Sequence, residues 1–386
     1  MNISEFCKIY TGNGFPMEFQ GKKDGKYPFY KVSDISASNA QQKIFLGSAN
    51  NYIDEFDVSM LKGNIIPAGT IVFAKIGEAL KLNKRAITSC ECLIDNNVIG
   101  IKPDDNIINL LYFYYYLLKI DMIHYSESTT LPSVRKSTIE KIEVKIPPID
   151  VQNKRVSILN LCHETIKYKV ELLYNLELLV KSRFVELFGD PVLNEKGWNL
   201  ISLESVCQSI YGGGTPSKKI KEYYMGTIPW VTSKDMKSDI IVDSIEHITQ
   251  VAIDNSSTKI IPPESVLIVI RSGILKHTLP VCINKSRVTI NQDLKALVLD
   301  ERCKAIYLQY LLKALEKDIL SGVRAVTADN IEFNSLKKRK IPIPPINIQI
   351  KFSQMVNQIN KLKSDVQKSI DETQLLMDSL MQEYFG

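Results

Sequence analysis

The amino-acid sequence is written twice. KIPPIDVQ (145–152) returns as KIPIPPINIQ (340–349), so that Ile146-Pro147-Pro148-Ile149 falls on Ile343-Pro344-Pro345-Ile346, 197 positions later. ELFG ending at Gly189 returns as EYFG ending at Gly386, at the same offset of 197. A constant offset over such a stretch means two ungapped copies of one element. The 386 residues allow two or three domains, and the duplication makes them two versions of one unit.

Earlier landmarks repeat with small gaps. Gly12, Gly14 and Pro16 match Gly212, Gly214 and Pro216 at offset 200, and Pro28–Ile35 matches Pro229–Met236 at offset 201. Ile65-Ile66-Pro67 matches Ile260-Ile261-Pro262 at offset 195, and Asn96 falls on Asn291 in the same frame. The drift belongs where surface loops change length. TIVFAKIG and VLIVIRSG read as equivalent buried strands ending in a turn. LLYFYYYLLK and AIYLQYLLKAL read as equivalent helices. On those helices Tyr112/Tyr115 and Tyr307/Tyr310 share a face, where packing into the core is a plainer role than stacking on bases.

Each copy closes on a long helix. In 151–189 apolar residues recur every seven positions at Leu159, Ile166, Leu173, Val180 and Leu187. Ile158, Leu172, Leu176, Leu179 and Phe184 widen the stripe. The second copy keeps the register with Val356, Ile370, Met377 and Tyr384, Lys363 breaking it once, while Ile359, Val366 and Leu380 take the other seam position. Neither stretch holds a proline or an interior glycine. At 1.5 Å per residue such a helix is roughly 57 Å long, and the heptad spacing implies a coiled-coil seam. The double proline before each helix stops the preceding strand and sets the entry angle, because proline fixes φ and cannot donate to a ladder.

Composition adds bounds. Hydrophobic residues make up 45% and charged residues 24%, the balance of an ordinary globular protein. No stretch approaches the ~18 apolar residues that span a bilayer, and the N-terminus shows no signal-peptide pattern, so a cytoplasmic location without membrane contact is expected. Seven dispersed cysteines and four scattered histidines read as reduced structural thiols and no metal site. The net charge of +5 permits nucleic-acid binding without establishing it.

A duplicated unit of globular domain, IPxPP-type turn and heptad helix resembles the specificity subunits of type I restriction–modification systems. The likeness covers the whole chain, and its most specific pieces are the paired KIPPIDVQ and IPIPPINIQ segments, the LFGDP-type helix end at Leu187–Pro191, and the openings YTGNGFP and YGGGTPSKK. In the first opening Phe15 stands where the second copy has Thr215. The resemblance implies an α+β chain with two target recognition domains at 1–147 and 191–344, each followed by a long helix at 148–190 and 345–386. The two helices pair as an antiparallel coiled coil with internal pseudo-twofold symmetry. Each domain would read one half of a bipartite, asymmetric site in double-stranded DNA. The helices would set the spacer and dock two modification (methyltransferase) subunits, and restriction (motor and nuclease) subunits would join. Methyl donor, ATP and Mg²⁺ would belong to those partners, leaving this chain with no cofactor and no catalysis.

The residues agree through what they lack. GGGTPSKK is not a GxxxxGK[ST] phosphate loop, and neither IPPI nor IPPE is the aromatic-bearing proline loop of an amino-methyltransferase. Two other readings stay open at this level: the recognition part of a related DNA methyltransferase, and a coiled-coil adaptor that binds only protein.

Phosphates call for Lys, Arg and small polar groups, base edges for bidentate side chains such as Arg, Asn or Gln. In the second domain the candidates are Gly213 and Thr215 in the glycine-rich opening, then Lys218, Lys219 and Lys221. Thr232, Ser233 and Lys234 follow, then Arg271, Ser272 and Lys276 after a buried strand, and Ser321, Val323 and Arg324. In the first they are Lys75, Lys81, Lys84 and Arg85, with Lys22, Lys23, Lys26 and Lys31, and Lys81 coincides with Lys276 at offset 195. For any one lysine a solvated surface charge is the plainer account. Arg271 is better placed, at a strand end beside Gly273. The glycines at 212–214 would let backbone amides approach a phosphate.

Overall fold

The strand and helix patterns of each copy become one architecture, built twice. A computed structural model of the chain describes residues 1–126, 131–321, 324–325 and 329–386. Met1–Leu172 with Val366–Gly386 form one compact unit, and Leu173–Asp365 form the other. Each unit therefore holds one globular part and a stretch of both long helices.

In the first unit the strands are β1 (Cys7–Thr11), β2 (Tyr27–Tyr30), β3 (Phe45–Leu46), β4 (Tyr52–Ile53), β5 (Ile71–Ala74), β6 (Arg85–Thr88), β7 (Leu93–Ile94) and β8 (Val98–Pro103). They make a five-stranded sheet in the order β1-β8-β5-β6-β3 and a three-stranded sheet in the order β4-β2-β7. In the second unit β9 is Asn199–Ser202, β10 Cys207–Gly212, β11 Ile228–Val231, β12 Ile240–Ile241 and β13 Glu246–Ile248. They are followed by β14 (Val266–Val269), β15 (Val281–Asn284), β16 (Thr289–Ile290) and β17 (Leu294–Leu299). The sheets repeat as β10-β17-β14-β15-β12 and β13-β11-β16. β5 and β14 are buried along their full length, as the continuous apolar runs predict.

Strand pairing shows where the two copies fall out of step. Tyr10 faces Gly100 and Tyr211 faces Ala296, but a bulge between Cys207 and Ser209 gives β10 one extra residue. A bulge adds a residue to one strand only, so the offset moves from 200 at the cysteines to 201 beyond it. The glycine expected opposite Gly212 is corrected accordingly: Gly12 corresponds to Gly213. The Asn96–Asn291 match is corrected too, because the Asp95 amide donates to Tyr30 O as the Asn291 amide donates to Val231 O. Asp95 and Asn291 are the equivalent pair, and Asn96 corresponds to Gln292.

The domain helices are α1 (Leu110–Lys119) and α3 (Ala305–Ala314), the long ones α2 (Ile149–Phe188) and α4 (Ile346–Phe385). Tyr112, Tyr115 and Tyr307 are buried and serve the core. Tyr115 Oη donates to Asn160 Oδ1 at 2.7 Å, and Tyr307 Oη to Pro342 O at 2.8 Å. In the first unit Val156, Leu159, Cys162 and Ile166 of α2 join Met377 of α4 against α1 and the large sheet. In the second, Phe184 and Phe188 of α2 pack on Phe352 of α4 and Tyr307 of α3.

The long helices run antiparallel within each unit. Arg155 donates to Tyr384 O at 2.8 Å, and Lys169 Nζ to Ser369 Oγ at 2.8 Å and Thr373 Oγ1 at 3.0 Å. In the other unit Lys363 Nζ lies 2.9 Å from Glu177 Oε1, so the residue that breaks the apolar heptad is an interhelical ion pair. Leu179, read as part of the stripe, is 51% exposed and faces away from the seam. α2 ends at Gly189, whose φ of +76° is a conformation that suits glycine, and Trp198 Nε1 donates to the terminal carbonyl of Phe188 at 3.0 Å.

Each double proline is held by a buried glutamine. Gln152 Nε2 donates to Pro147 O at 2.8 Å while its Oε1 accepts from Asn109 N at 2.8 Å. Gln349 repeats the set with Pro344 O at 2.8 Å and Lys304 N at 2.9 Å. The last letter of the repeated motif thus ties the start of each long helix to the start of its domain helix.

Of the seven cysteines, Cys92, Cys162, Cys282 and Cys303 are buried, Cys7 and Cys207 half-buried, and Cys90 exposed. Burial pushes the Cys282 and Cys303 thiols up to about 12, as suits inert packing groups. Cys90 departs from the expectation of buried thiols.

Candidate nucleic-acid interface

The structure gathers several candidates around one short turn in each unit. The turn joins the small sheet to the large one: residues 95–97 between β7 and β8, and 291–293 between β16 and β17. Its shape is set locally. Asp95 Oδ1 accepts from Asn97 N at 2.8 Å, and Asn291 Oδ1 from Asp293 N at 3.1 Å, the side-chain-to-backbone turn that Asp and Asn favour.

The glycine opening closes over this turn. A Cβ at Gly12 would stand 1.9 Å from Asp95 O, and one at Gly213 would stand 1.9 Å from Asn291 O. Both positions need glycine for close backbone approach. The Gly214 amide is committed to Ile290 O at 3.0 Å, so the expectation that this segment turns its amides toward a phosphate is corrected in part. Trp230 Nε1 donates to Gly214 O at 3.0 Å and fixes the opening from the other side.

Polar side chains crowd the second turn. Thr215 Oγ1 donates to Gln292 Oε1. Arg271 pairs with Asp293 Oδ1 at 2.7 Å, and Asn291 Nδ2 donates to Asp293 Oδ2 at 3.0 Å. Thr232, Ser233 and Lys234 follow Val231, whose carbonyl holds Asn291 N at 3.0 Å. In the first unit Lys31 follows Tyr30 in the same way, and its Nζ lies 5.1 Å from the Phe15 ring centre. Lys75 donates its backbone N–H to Asn97 O at 2.9 Å, so this lysine starts beside the turn.

Other candidates lie apart. Lys81 and Lys276 both close the one-turn helix after the central strand, over Glu78–Lys81 and Gly273–Lys276, as their common offset predicts. Lys81 is exposed and pairs with Glu78 at 2.6 Å. Ser272 caps its helix by accepting from Ile274 N at 3.4 Å. Lys84 is half-buried and Lys219 exposed. Lys218 lines a groove with Lys221, Tyr224 and His247, and Lys234 lines a neighbouring one with Asp235 and Ser244. Arg324 begins a short strand paired with Asn330, and its side chain, like Val323, lies outside the described residues.

Arg85 is a correction. It is 1% exposed, donates to Asn83 Oδ1 at 2.6 Å and Ile120 O at 2.9 Å, and stacks 4.8 Å from the Phe73 ring centre. Desolvation lowers its pKa to about 10. Placed on β6 facing the core, it is a structural cation and cannot reach a phosphate. The run KLNKR around it reads as a basic surface loop, whereas the equivalent position of the second unit carries the apolar Val281, the one signal in the sequence that this position faces inward.

Gln292 and Asn96 went unread as site residues, although both are exposed at the turn tips. The one-residue misalignment hid their equivalence. Among the described residues no group of three or more His, Cys, Asp or Glu could hold a metal ion, and no helix is long and apolar enough to cross a membrane.

Two α+β units, each built on segments of two antiparallel helices, define a duplicated helix-paired architecture. The chain belongs to the family described as the type I restriction modification DNA specificity domain, whose model matches residues 1–177 and again 195–373. Among curated proteins it is 36% identical over 163 residues to the type I restriction enzyme EcoR124I/EcoR124II specificity subunit of Escherichia coli, covering 42% of this chain and 40% of that one. It is 28% identical over 217 residues to the MjaIX specificity subunit of Methanocaldococcus jannaschii, covering 54% and 48%. The matches thus span about half or less of those relatives' length. Its fold is similar to the solved S subunit of a type I restriction–modification system from M. genitalium, with TM-score 0.59, 13% identity, and coverage of 100% and 95%. A structure described under complex assembly and conformational transition of the type I R-M system aligns with TM-score 0.60, 17% identity, and coverage of 100% and 96%.

Proposed function

We propose that this chain is the DNA-reading, non-catalytic subunit of a type I restriction–modification complex. Each globular part reads one half of a bipartite, asymmetric site in double-stranded DNA. The paired helices set the spacer and dock two modification subunits, to which restriction subunits add. The observation that carries the reading is the polar turn framed by the glycine opening and the central strand end, present in both units at equivalent positions. Two similar reading surfaces with different side chains suit a site whose halves differ. Family membership and the relatives named as specificity subunits support the same role.

Lys218, Lys219, Lys234, Lys75, Lys81, Lys84 and Lys276 then act on the phosphate backbone, with Ser233, Ser272 and Thr215 as short polar contacts and Arg271 and Arg324 as arginine contacts. Phosphate binding of this kind falls steeply with salt through counterion release. Arg271 keeps its pair with Asp293 through Nε and Nη2 and meets DNA through its remaining guanidinium N–H donors. The test is to express the chain with its modification subunits in a host lacking other methylation and to sequence the methylome. A two-part motif with a fixed spacer is expected. Methyl transfer by the isolated chain, or a continuous motif, would contradict the proposal.

A further inference from the structure

We infer that Asn96 and Gln292 are equivalent specificity-determining residues, one for each half-site, and that each reads an adenine through its carboxamide in the major groove. This rests on the DNA-reading role proposed above and deepens it.

Four observations converge on the pair. The first is position. Strand pairing and the shared amide bonds to Tyr30 O and Val231 O place the two residues at the same point of the two units. The second is chemistry: both side chains carry a carboxamide, which offers one acceptor oxygen and two N–H donors. Adenine presents an N6 donor and an N7 acceptor side by side in the major groove, and Asn or Gln matches them bidentately. Both residues are exposed at the tips of their turns.

The third observation is rigidity. A reading group must hold its place, and these turns are clamped from below by the glycine backbones that approach Asp95 O and Asn291 O. Their own Asp95 and Asn291 side chains hold them from within. The longer Gln292 carries one more rotatable bond than Asn96, and a hydroxyl holds it: Thr215 Oγ1 donates to Gln292 Oε1. A carbonyl oxygen has two lone pairs, so that bond orients the amide and still leaves Oε1 an acceptor site and Nε2 its donors. Thr215 is on this account a positioning residue.

The fourth is charge. A carboxylate beside a DNA-reading group repels phosphate, and Asp293 follows Gln292 directly. Arg271 balances its charge in place at 2.7 Å, and its other oxygen accepts from the Asn291 side-chain amide at 3.0 Å. At the corresponding position the first unit has Asn97, which brings no charge.

The test is methylome sequencing of the assembled complex carrying Gln292→Ala, Asn96→Ala, Gln292→Glu or Thr215→Val. Gln292→Ala and Asn96→Ala are expected to relax one A·T pair each, in different halves of the motif, with a roughly ten- to hundred-fold loss of discrimination there. Gln292→Glu should move the preference at its position toward cytosine, because a carboxylate accepts from the N4 amine and cannot donate to N7. Thr215→Val should relax the same position as Gln292→Ala, more weakly, and no other, a coincidence that a merely structural threonine would not produce. A wild-type two-part motif left unchanged by both alanine variants overturns this inference alone. A wild-type complex without a two-part motif overturns the underlying reading and this inference with it.

Discussion

Two residues with the same surface chemistry on paper end in opposite environments. Arg85 is sealed in the first unit against Phe73 and the Ile120 carbonyl, whereas Arg271 is exposed and shares an ion pair with Asp293. Arg85→Ala leaves a cavity and a buried carbonyl without its donor, and should cost about 2–4 kcal/mol in urea unfolding while the methylated motif stays the same. Arg271→Ala should change stability by less than about 1 kcal/mol and weaken recognition by about 1–3 kcal/mol. Competition binding to the assembled complex measures the second effect, and an unchanged affinity and motif would leave Arg271 as plain surface. The buried glutamines make a matched pair of the first kind. Gln152→Ala and Gln349→Ala each strand a buried amide donor and a carbonyl at the proline turn, so each should lose about 2–4 kcal/mol. Losses under 0.5 kcal/mol in both (roughly the scatter of such measurements) would show that the proline turn holds without them.

At the scale of elements, periodicity was the dependable guide. The central strands, the two tyrosine helices and the long heptad helices all lie where apolar spacing puts them, because burial of one face dictates that spacing. What spacing could not reveal was a bulge, since one extra residue in a strand leaves no compositional mark. That bulge between Cys207 and Ser209 shifted the glycine match, and one further residue between β14 and β15, which moves the offset from 195 at Ile71/Val266 to 196 at Ile87/Ile283, concealed the Asn96–Gln292 equivalence. Arg85 escapes periodicity for a different reason: β6 is buried along its full length, so no alternation marks its one charged residue as inward-facing. The seam itself gives a prediction. Four residues inserted into α2 advance it by about 6 Å and rotate it by about 40°, close to the roughly 34° by which one base pair turns in B-DNA. The insertion is a stutter that a heptad seam can absorb. If the helices act as the ruler, the nonspecific spacer should lengthen by one or two pairs with both half-sites unchanged. An active complex with the original spacer would assign the ruler elsewhere.

At the scale of the whole molecule, duplication is the source of the proposed function. One fold was kept in both copies, down to the glutamine locks and the glycine-clamped turns, while side chains bordering the turn tips differ, as Asn97 against Asp293 and Lys75 against Ile270. A chain selected only to bind protein through its helices has no need of that contrast. On the proposed function the two globular parts are separable readers, and exchanging one tests this most directly. Residues 1–147 would be replaced by the corresponding part of a relative with a different motif, leaving both helices and the second globular part intact, and the methylome of the reconstituted complex sequenced. The account predicts that one half of the motif changes to the donor's half while the other half and the spacer stay as they were. A motif altered in both halves, or in neither, would contradict it.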